Sequence, residues 1–400
     1  MNLRFETCSM MCHFRNIACS SASYILLMIA ACGCNPSDSR DSPTAQDLDR
    51  YFRHQFPADE PGGAILLING DSVVFSKGYG LANMETKEPV TTNTLFNLGS
   101  ISKTFVANAI LLLHDQGKLS LEDSLFRYFP TFKNKSIAQR VKIKHLLTHT
   151  SGLPDIRNVS ADTSFYLTAK DAENWAPIEQ ADSLLFDSGS EFEYSNPAFN
   201  GLALIIEQVT GSKWQKFVAD EILKPSDMET STITDGDHPA EGVSHGYVKS
   251  QGKWIEDDYG EEPTFPAAGN GGVWSSVEEL ARYEKALQTG AFLSNERVMD
   301  ARTPKKFNNW KGTRRFTSSW SWFTPQIYDG VMQPLMGWSW FIGRTADGSK
   351  IIGHTGTQGG FIANYVTIPD KKVLIVILCN SPRDVYGYTD KLLAALDIDN

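Results

Sequence analysis

The sequence predicts a mixed α/β fold of the α+β kind, an antiparallel sheet flanked by helices with a mainly helical subdomain inserted into it. Three observations carry this. Two apolar runs, Gly63–Ile68 and Ser72–Lys77, are joined by Asn69-Gly70-Asp71, the chemistry of a tight β-hairpin turn. Four strand-like runs close the chain: Trp338–Ile342, Ser349–Ile352, Phe361–Ile368 and Lys372–Cys379. Between them the apolar spacing is helical, and a lone hairpin is marginal in water, so the hairpin is expected to join the late strands in one sheet.

Residues 1–31 read as a signal peptide, because Arg4 and Arg15 precede Tyr24–Ala31, an apolar run too short to span a bilayer. A buried helical turn, or a start codon upstream of the true signal, is the competing reading. Ile29-Ala30-Ala31-Cys32 resembles a bacterial lipoprotein cleavage box. Cys32 is therefore expected to carry a lipid that anchors the exported protein to the periplasmic face of a membrane, with Cys34 as second candidate. Residues 32–46 read as a flexible tether and 47–400 as the folded domain, its sheet part near 60–115 and 270–400 and its helical part near 116–269. Cys8, Cys12, Cys19, Cys32 and Cys34 crowd the leader, leaving Cys379 alone in an apolar run, unable to form an internal disulfide and expected to be inert.

In chain order, a short helix is expected around Leu48–Phe56, and a central buried helix runs from Ile101 through Leu113 to a stop at Gly117. Ile143–Gly152 reads as a helix stopped by a turn. Leu202, Ile205, Ile206 and Val209 have helical spacing ending at Gly211, and Trp214–Ile222 forms another short helix. Ser276 and Glu279 have the spacing of a capping box for a helix through Leu287, and a last helix lies near Tyr388–Leu396. Asp347-Gly348, His354-Thr-Gly356 and Pro369-Asp370 read as turns between the late strands.

A net charge of -10 leaves no basic footprint for nucleic acid. The eight histidines contain no His-Glu-x-x-His pattern, and His145 and His149 sit four apart with no Glu between, so neither a metal nor another cofactor is expected.

Ser100-Ile-Ser-Lys103 places a hydroxyl and an amine one helical turn apart, directly ahead of the buried helix. Spacing alone fits equally an N-cap serine followed by a surface lysine, and Ser250-Gln-Gly-Lys253 has the same pattern. The apolar run behind Lys103 argues for a desolvated lysine with a lowered pKa. Tyr194-Ser-Asn196 offers a phenol and an amide just before the helix at Phe199, and Gly353-His-Thr-Gly356 offers a backbone that a ligand can approach closely, or merely a tight turn.

Together these elements resemble the penicillin-recognising serine hydrolases, in particular the class C β-lactamase-related group with its D-amino-acid peptidases, D-Ala-D-Ala carboxypeptidases and esterases. The resemblance spans roughly Tyr51 to Leu396. It includes Phe96–Phe105, Leu146-Leu-Thr-His-Thr-Ser-Gly-Leu-Pro154, Phe192–Pro197, Ala268-Gly-Asn-Gly-Gly272 and Gly353–Gly356.

The resemblance implies a β-lactamase/transpeptidase-like fold and two-step acyl transfer on a small-molecule or short-peptide substrate. Ser100 would be the nucleophile, and Lys103 and Tyr194 would share its proton, with Tyr194 the favoured general base. The backbone N–H groups of Ser100 and Thr357 would form the oxyanion hole. Asn196 would orient the substrate amide and Lys103, and His354, Thr355 and Gly356 would bind substrate, while His149 reads as a packing or turn residue. His354 departs from the family's Lys-Thr-Gly triplet, which shifts the expected substrate from β-lactams toward small amides, D-peptides or esters. A binding protein that kept the fold without catalysis is the alternative class. The aromatic stretch Trp310–Trp340 reads either as a pocket wall or as packing of a long insertion.

Overall fold

The computed structural model describes residues 43–157, 169–235, 239, 241–257, 268–315, 327–328, 331–332 and 336–398. The leader with Cys32 and Cys34, and Phe316, Trp320, Trp322 and Phe323, lie outside the described residues.

One six-stranded antiparallel sheet organises the domain. Its strands are β1 (Gly63–Asn69), β2 (Ser72–Tyr79), β3 (Phe341–Arg344), β4 (Lys350–Gln358), β5 (Phe361–Ile368) and β6 (Val373–Cys379), in the order β3-β4-β5-β6-β1-β2. First and last strands therefore lie side by side, Gly63 opposite Cys379 and Asn69 opposite Val373. Gly70, at φ 62°, supplies the left-handed residue that the β1–β2 turn requires. The chain leaves the sheet after Tyr79 and returns at Phe341.

Both faces of the sheet are covered, which is why β6 is a continuous apolar run rather than an alternating one. Ile65, Leu67, Ile375 and Ile377 pack with Leu48 and Phe52 of helix α1 (Ala45–Gln55). Ala64, Leu66, Val376 and Leu378 belong to the core of the helical layer. That layer is centred on α2 (Ser102–Asp115), whose residues are buried on nearly every side. Gly117, at φ 68°, lies just beyond its end, with Lys118 N–H bonding the Leu113 carbonyl. Around it lie α3 (Ile143–Leu147), α4 (Asp171–Trp175), α5 (Pro197–Thr210), the single turn α6 (Ala268–Gly271) and α7 (Val277–Thr289), while α8 (Val385–Ala394) covers the other sheet face.

Three local expectations are corrected, and an alternative left open for Trp338 and Trp340 is decided in favour of packing. Helix α1 begins at Ala45, inside the expected tether, because Thr44 and Asp47 form a reciprocal capping box. Ser276 does cap Glu279 N, but the Glu279 carboxylate turns to Thr230 N, Ser231 N and the Ser231 hydroxyl rather than closing a box. His354-Thr-Gly356 is not a turn; it lies inside β4, and the reversal comes at Gly359-Gly360. Trp338 and Trp340 are 7% and 1% exposed. Trp338 donates to Asp300 and Trp340 packs on Tyr365, so these two serve packing rather than an open pocket wall.

The second Ser-x-x-Lys pattern is separated from the first by its backbone. Ser250 and Lys253 flank a two-residue hairpin turn, with Gln251 at φ 49° and Gly252 at φ 80°. Lys253 opens a strand, Lys253–Glu256, so the two side chains share no helix face.

Candidate active site

Ser100 sits where the chain turns sharply into the buried helix. Phe96–Asn97 pairs with Trp274–Ser275, the Asn97 side chain accepts Gly99 N–H at 2.8 Å, and Gly99 adopts φ 50°. A 3-10 turn over Gly99–Ile101 then feeds α2. Ser100 therefore lies in the turn ahead of the α-helix and is not its N-cap.

Lys103 follows one turn later. Its Nζ donates to Ser100 Oγ at 3.0 Å and to the Asn270 carbonyl at 2.8 Å. The side chain is fully buried, and the ring centroids of Tyr194 and Phe199 lie 5.3 and 5.8 Å from the amine. Burial holds its pKa well below the usual lysine range, and Arg157 adds like-charge repulsion. The N-terminal end of a helix also disfavours a cation. These effects favour the free amine against the serine hydroxyl.

Tyr194 leads from a short strand (Glu191–Glu193) into α5 and faces the same amine. Burial pushes its phenol above the ordinary range, with a hydrogen bond to Ser100 opposing. The two shifts run in opposite directions, down for the Lys103 amine and up for the Tyr194 phenol. Burial penalises whichever form of each group is charged, which weighs against the expected reading of Tyr194 as the favoured general base.

Asn196 stands at the N-cap position of α5, exposed and making no side-chain cap bond. Lys103 bonds the Asn270 carbonyl rather than the Asn196 amide. A main-chain oxygen has no side-chain signature, so the Ala268–Gly272 motif could be matched without its role being read.

Two glycines let the backbone of the serine turn meet β4. A Cβ on Gly356 would lie 1.9 Å from Leu98 O and 3.1 Å from Ser100 N, and one on Gly99 would lie 2.7 Å from Thr357 N. Residues 98–100 and 356–357 are thus in direct contact, bringing the amides of Ser100 and Thr357 into one neighbourhood. β3 pairs only with Lys350–Gly353 of β4, and the edge beyond lies beside this turn.

His354 is 1% exposed, with its Nδ1 2.7 Å from the Thr355 carbonyl, its ring 5.2 Å from Phe341 and its Nε2 unpaired. A carbonyl partner requires the proton on Nδ1, so Nε2 is an acceptor. Burial and the Lys103 charge lower its pKa to about 3, and the bond to Thr355 opposes them. Thr355 is half-buried, Gly356 buried and Thr357 exposed.

His149 lies against Tyr194, with ring centroids 4.1 Å apart, and its Nδ1 accepts the Ser195 N–H at 3.0 Å. Its backbone has φ 55°. The expected packing role therefore falls directly on a candidate site residue.

A family model described as Beta-lactamase matches residues 48–397. Penicillin-binding protein 4* of Bacillus subtilis (strain 168) is 27% identical over 358 residues, covering 86% of this chain and 72% of that protein. Protein flp of Staphylococcus aureus (strain MW2) is 32% identical over 50% of this chain, a match that takes in only 41% of flp. Among solved structures, the octameric penicillin-binding protein homologue from Pyrococcus abyssi superposes with TM-score 0.70 at 26% identity, covering 88% of this chain and 76% of its own. The D-amino acid amidase from Ochrobactrum anthropi SV3, complexed with L-phenylalanine amide, shares the fold with TM-score 0.68 at 22% identity, covering 88% and 99% respectively.

Proposed function

The chain belongs to the beta-lactamase family, and from that premise we propose that it is a serine acyl hydrolase whose nucleophile is Ser100. The observation that carries the reading is the 3.0 Å contact between Ser100 Oγ and a fully buried Lys103 amine.

In the first step Ser100 Oγ bonds to the substrate carbonyl carbon while its proton passes to Lys103. The carbonyl oxygen becomes an oxyanion facing the N–H groups of Ser100 and Thr357. Collapse breaks the bond to the leaving group, which takes a proton from Tyr194, itself reprotonated from Lys103. Water then attacks the acyl-enzyme by the same route in reverse and releases the acid.

His354 supports amides, D-peptides or esters over substrates held by a carboxylate. A buried neutral imidazole offers no positive charge to a substrate carboxylate, whereas a β-lactam or terminal D-Ala carboxylate calls for a cation. Structural likeness to a D-amino acid amidase is consistent with this choice.

A fluorophosphonate probe tests the nucleophile: covalent labelling is expected on the full chain and absent in Ser100→Ala. Labelling that persists in Ser100→Ala would overturn the assignment, and no labelling of the folded wild-type chain would favour a non-catalytic binding protein. Among p-nitrophenyl esters, D-Ala p-nitroanilide, a D-Ala-D-Ala peptide and nitrocefin, the first two are expected to turn over fastest. Preference for nitrocefin or the dipeptide would instead indicate a β-lactamase or carboxypeptidase.

The leader motif adds export and lipid anchoring at Cys32 to the proposal. Cys32→Ala is expected to move the protein from membrane to soluble fraction. Cys34→Ala is the control, and redistribution by that variant alone would reassign the anchor.

A further inference from the structure

The amine of Lys103 is held from behind by a chain of hydrogen bonds that starts at a buried carboxylate. Asp171, the first residue of α4, is 7% exposed, and its Oδ1 accepts the Asn200 side-chain N–H at 2.6 Å and Gly269 N–H at 2.8 Å. Asn200 Oδ1 accepts from the Asn270 side chain at 3.0 Å, and the Asn270 carbonyl accepts from Lys103 at 2.8 Å. One carboxylate thus grips the α6 turn by its backbone and, through Asn200, by its side chain.

The turn is also confined sterically. A Cβ on Gly269 would lie 2.8 Å from the Ala203 side chain and 3.0 Å from Asp171 Oδ1, and one on Gly271 would lie 2.3 Å from Gln358 Oε1. What a buried, fully paired network fixes is the direction of a donor or acceptor, here the Asn270 carbonyl.

We infer that Asp171 and Asn200 are positioning residues of the site, aiming the Asn270 carbonyl at Lys103 and thereby setting the proton affinity of its amine. The inference rests on the assignment of Lys103 as the proton acceptor from Ser100. An acceptor opposite the amine favours the ammonium form, so the carbonyl partly opposes the desolvation that lowers the lysine's pKa. Arg157 faces Lys103 as a cation, while His149, His354 and Tyr194 face it as neutral groups. Glu207 is the charged neighbour of Asp171.

The test is the rate of Ser100 phosphonylation by a fluorophosphonate, followed over roughly pH 5–9, where the acid limb reports loss of the free amine. Asp171→Asn keeps the side-chain shape and removes the charge; Asn270→Ala keeps the carbonyl and removes its tie to Asn200. Both are expected to move the limb down by about one pH unit and to slow the plateau rate roughly tenfold. Trp214→Phe removes a third bond to the same carboxylate, at 2.9 Å, that leads nowhere near Asn270. It is expected to lower the melting temperature without moving the limb.

If the limb belonged to Asp171, Trp214→Phe would raise it and Asp171→Asn would abolish it, and the inference would fall. An unmoved limb in Asn270→Ala would also sink it, and that half-buried position decides the matter even if Asp171→Asn does not fold. Undiminished labelling in Lys103→Met would instead defeat the underlying assignment of the base, a separate outcome.

Discussion

The imidazole of His149 lies nearly flat on the phenol of Tyr194, centroids 4.1 Å apart at an interplanar angle of 24°. The same residue brackets that tyrosine along the chain, its carbonyl accepting Glu193 N–H at 2.9 Å and its Nδ1 accepting Ser195 N–H at 3.0 Å. Two bonds and a stack therefore fix where the Tyr194 hydroxyl points. His149→Ala is expected to slow phosphonylation of Ser100 by roughly a hundredfold, the scale on which a misplacement of about 1 Å acts. His149→Phe, which keeps the ring and loses the acceptor, should fall between. Equal rates for wild type and alanine variant would reduce His149 to ordinary packing.

A second prediction concerns histidine and pH. With its pKa lowered to about 3, His354 stays neutral through the working range, so the labelling profile should show no inflection between pH 6 and 7 from this residue. The acid limb is expected to belong to Lys103: its folded pKa is depressed, so the free amine is lost only as pH falls through that lowered value. His354→Lys would add a second cation facing Lys103, lowering that pKa further and moving the limb to lower pH. The same variant should acylate carboxylate-bearing β-lactams about tenfold faster. A profile unchanged in His354→Lys, with no gain on β-lactams, would contradict both the placement and the substrate argument.

The contrast between legible and illegible features has a physical pattern. Asn69-Gly70, Gly117 and Gly211 marked their elements because a left-handed backbone is a local demand that glycine meets cheaply. Ser100 and Lys103 could be paired because one helical turn is also local. The His354 triplet was misread as a turn because its glycine serves a distant contact, the approach of Leu98 O, rather than a change of direction. The Asn270 carbonyl and the stack of His149 on Tyr194 join segments far apart in sequence, and neither leaves a spacing rule behind. The order of Lys103 and Tyr194 in proton affinity depends on burial, which spacing does not encode.

The third prediction follows from that close approach. Gly356→Ala would drive a methyl into Leu98 O, where only 1.9 Å is available, and backbone cannot yield as a flexible side chain can. The serine turn must separate from β4, taking the Thr357 amide away from Ser100. Labelling should fall by at least a hundredfold, the effect of losing one oxyanion donor, and stability by about 1–3 kcal/mol for overpacking. Gly252→Ala, where nothing lies within 4 Å, should leave labelling intact despite the strain of φ 80°. Normal labelling in Gly356→Ala would show that these amides do not act together.

The last prediction separates the stability of the frame from the chemistry of the site. Arg302 clamps Glu284 through two hydrogen bonds of 2.9 and 2.6 Å in a fully buried setting, and Glu284 also accepts from Tyr365, Thr367 and Gln288. Burial alone would raise the Glu284 pKa, but Arg302 and these donors outweigh it and hold it below the usual carboxylate range. A depressed folded pKa means stability that is present above the unfolded value and lost as pH falls through the folded one. Removing the cation reverses the sign, because desolvation then dominates and the carboxylate destabilises the fold increasingly as pH rises. Arg302→Met should therefore cost about 3–5 kcal/mol near pH 7 and distinctly less near pH 4–5, where Glu284 can bind a proton. The double variant Arg302→Met/Glu284→Leu should recover part of that loss, since no charge remains buried, although Tyr365 and Thr367 lose an acceptor. Denaturant melts at two pH values decide it: a penalty for Arg302→Met that does not grow with pH would mean that the pair is not the buried, mutually dependent clamp its geometry describes.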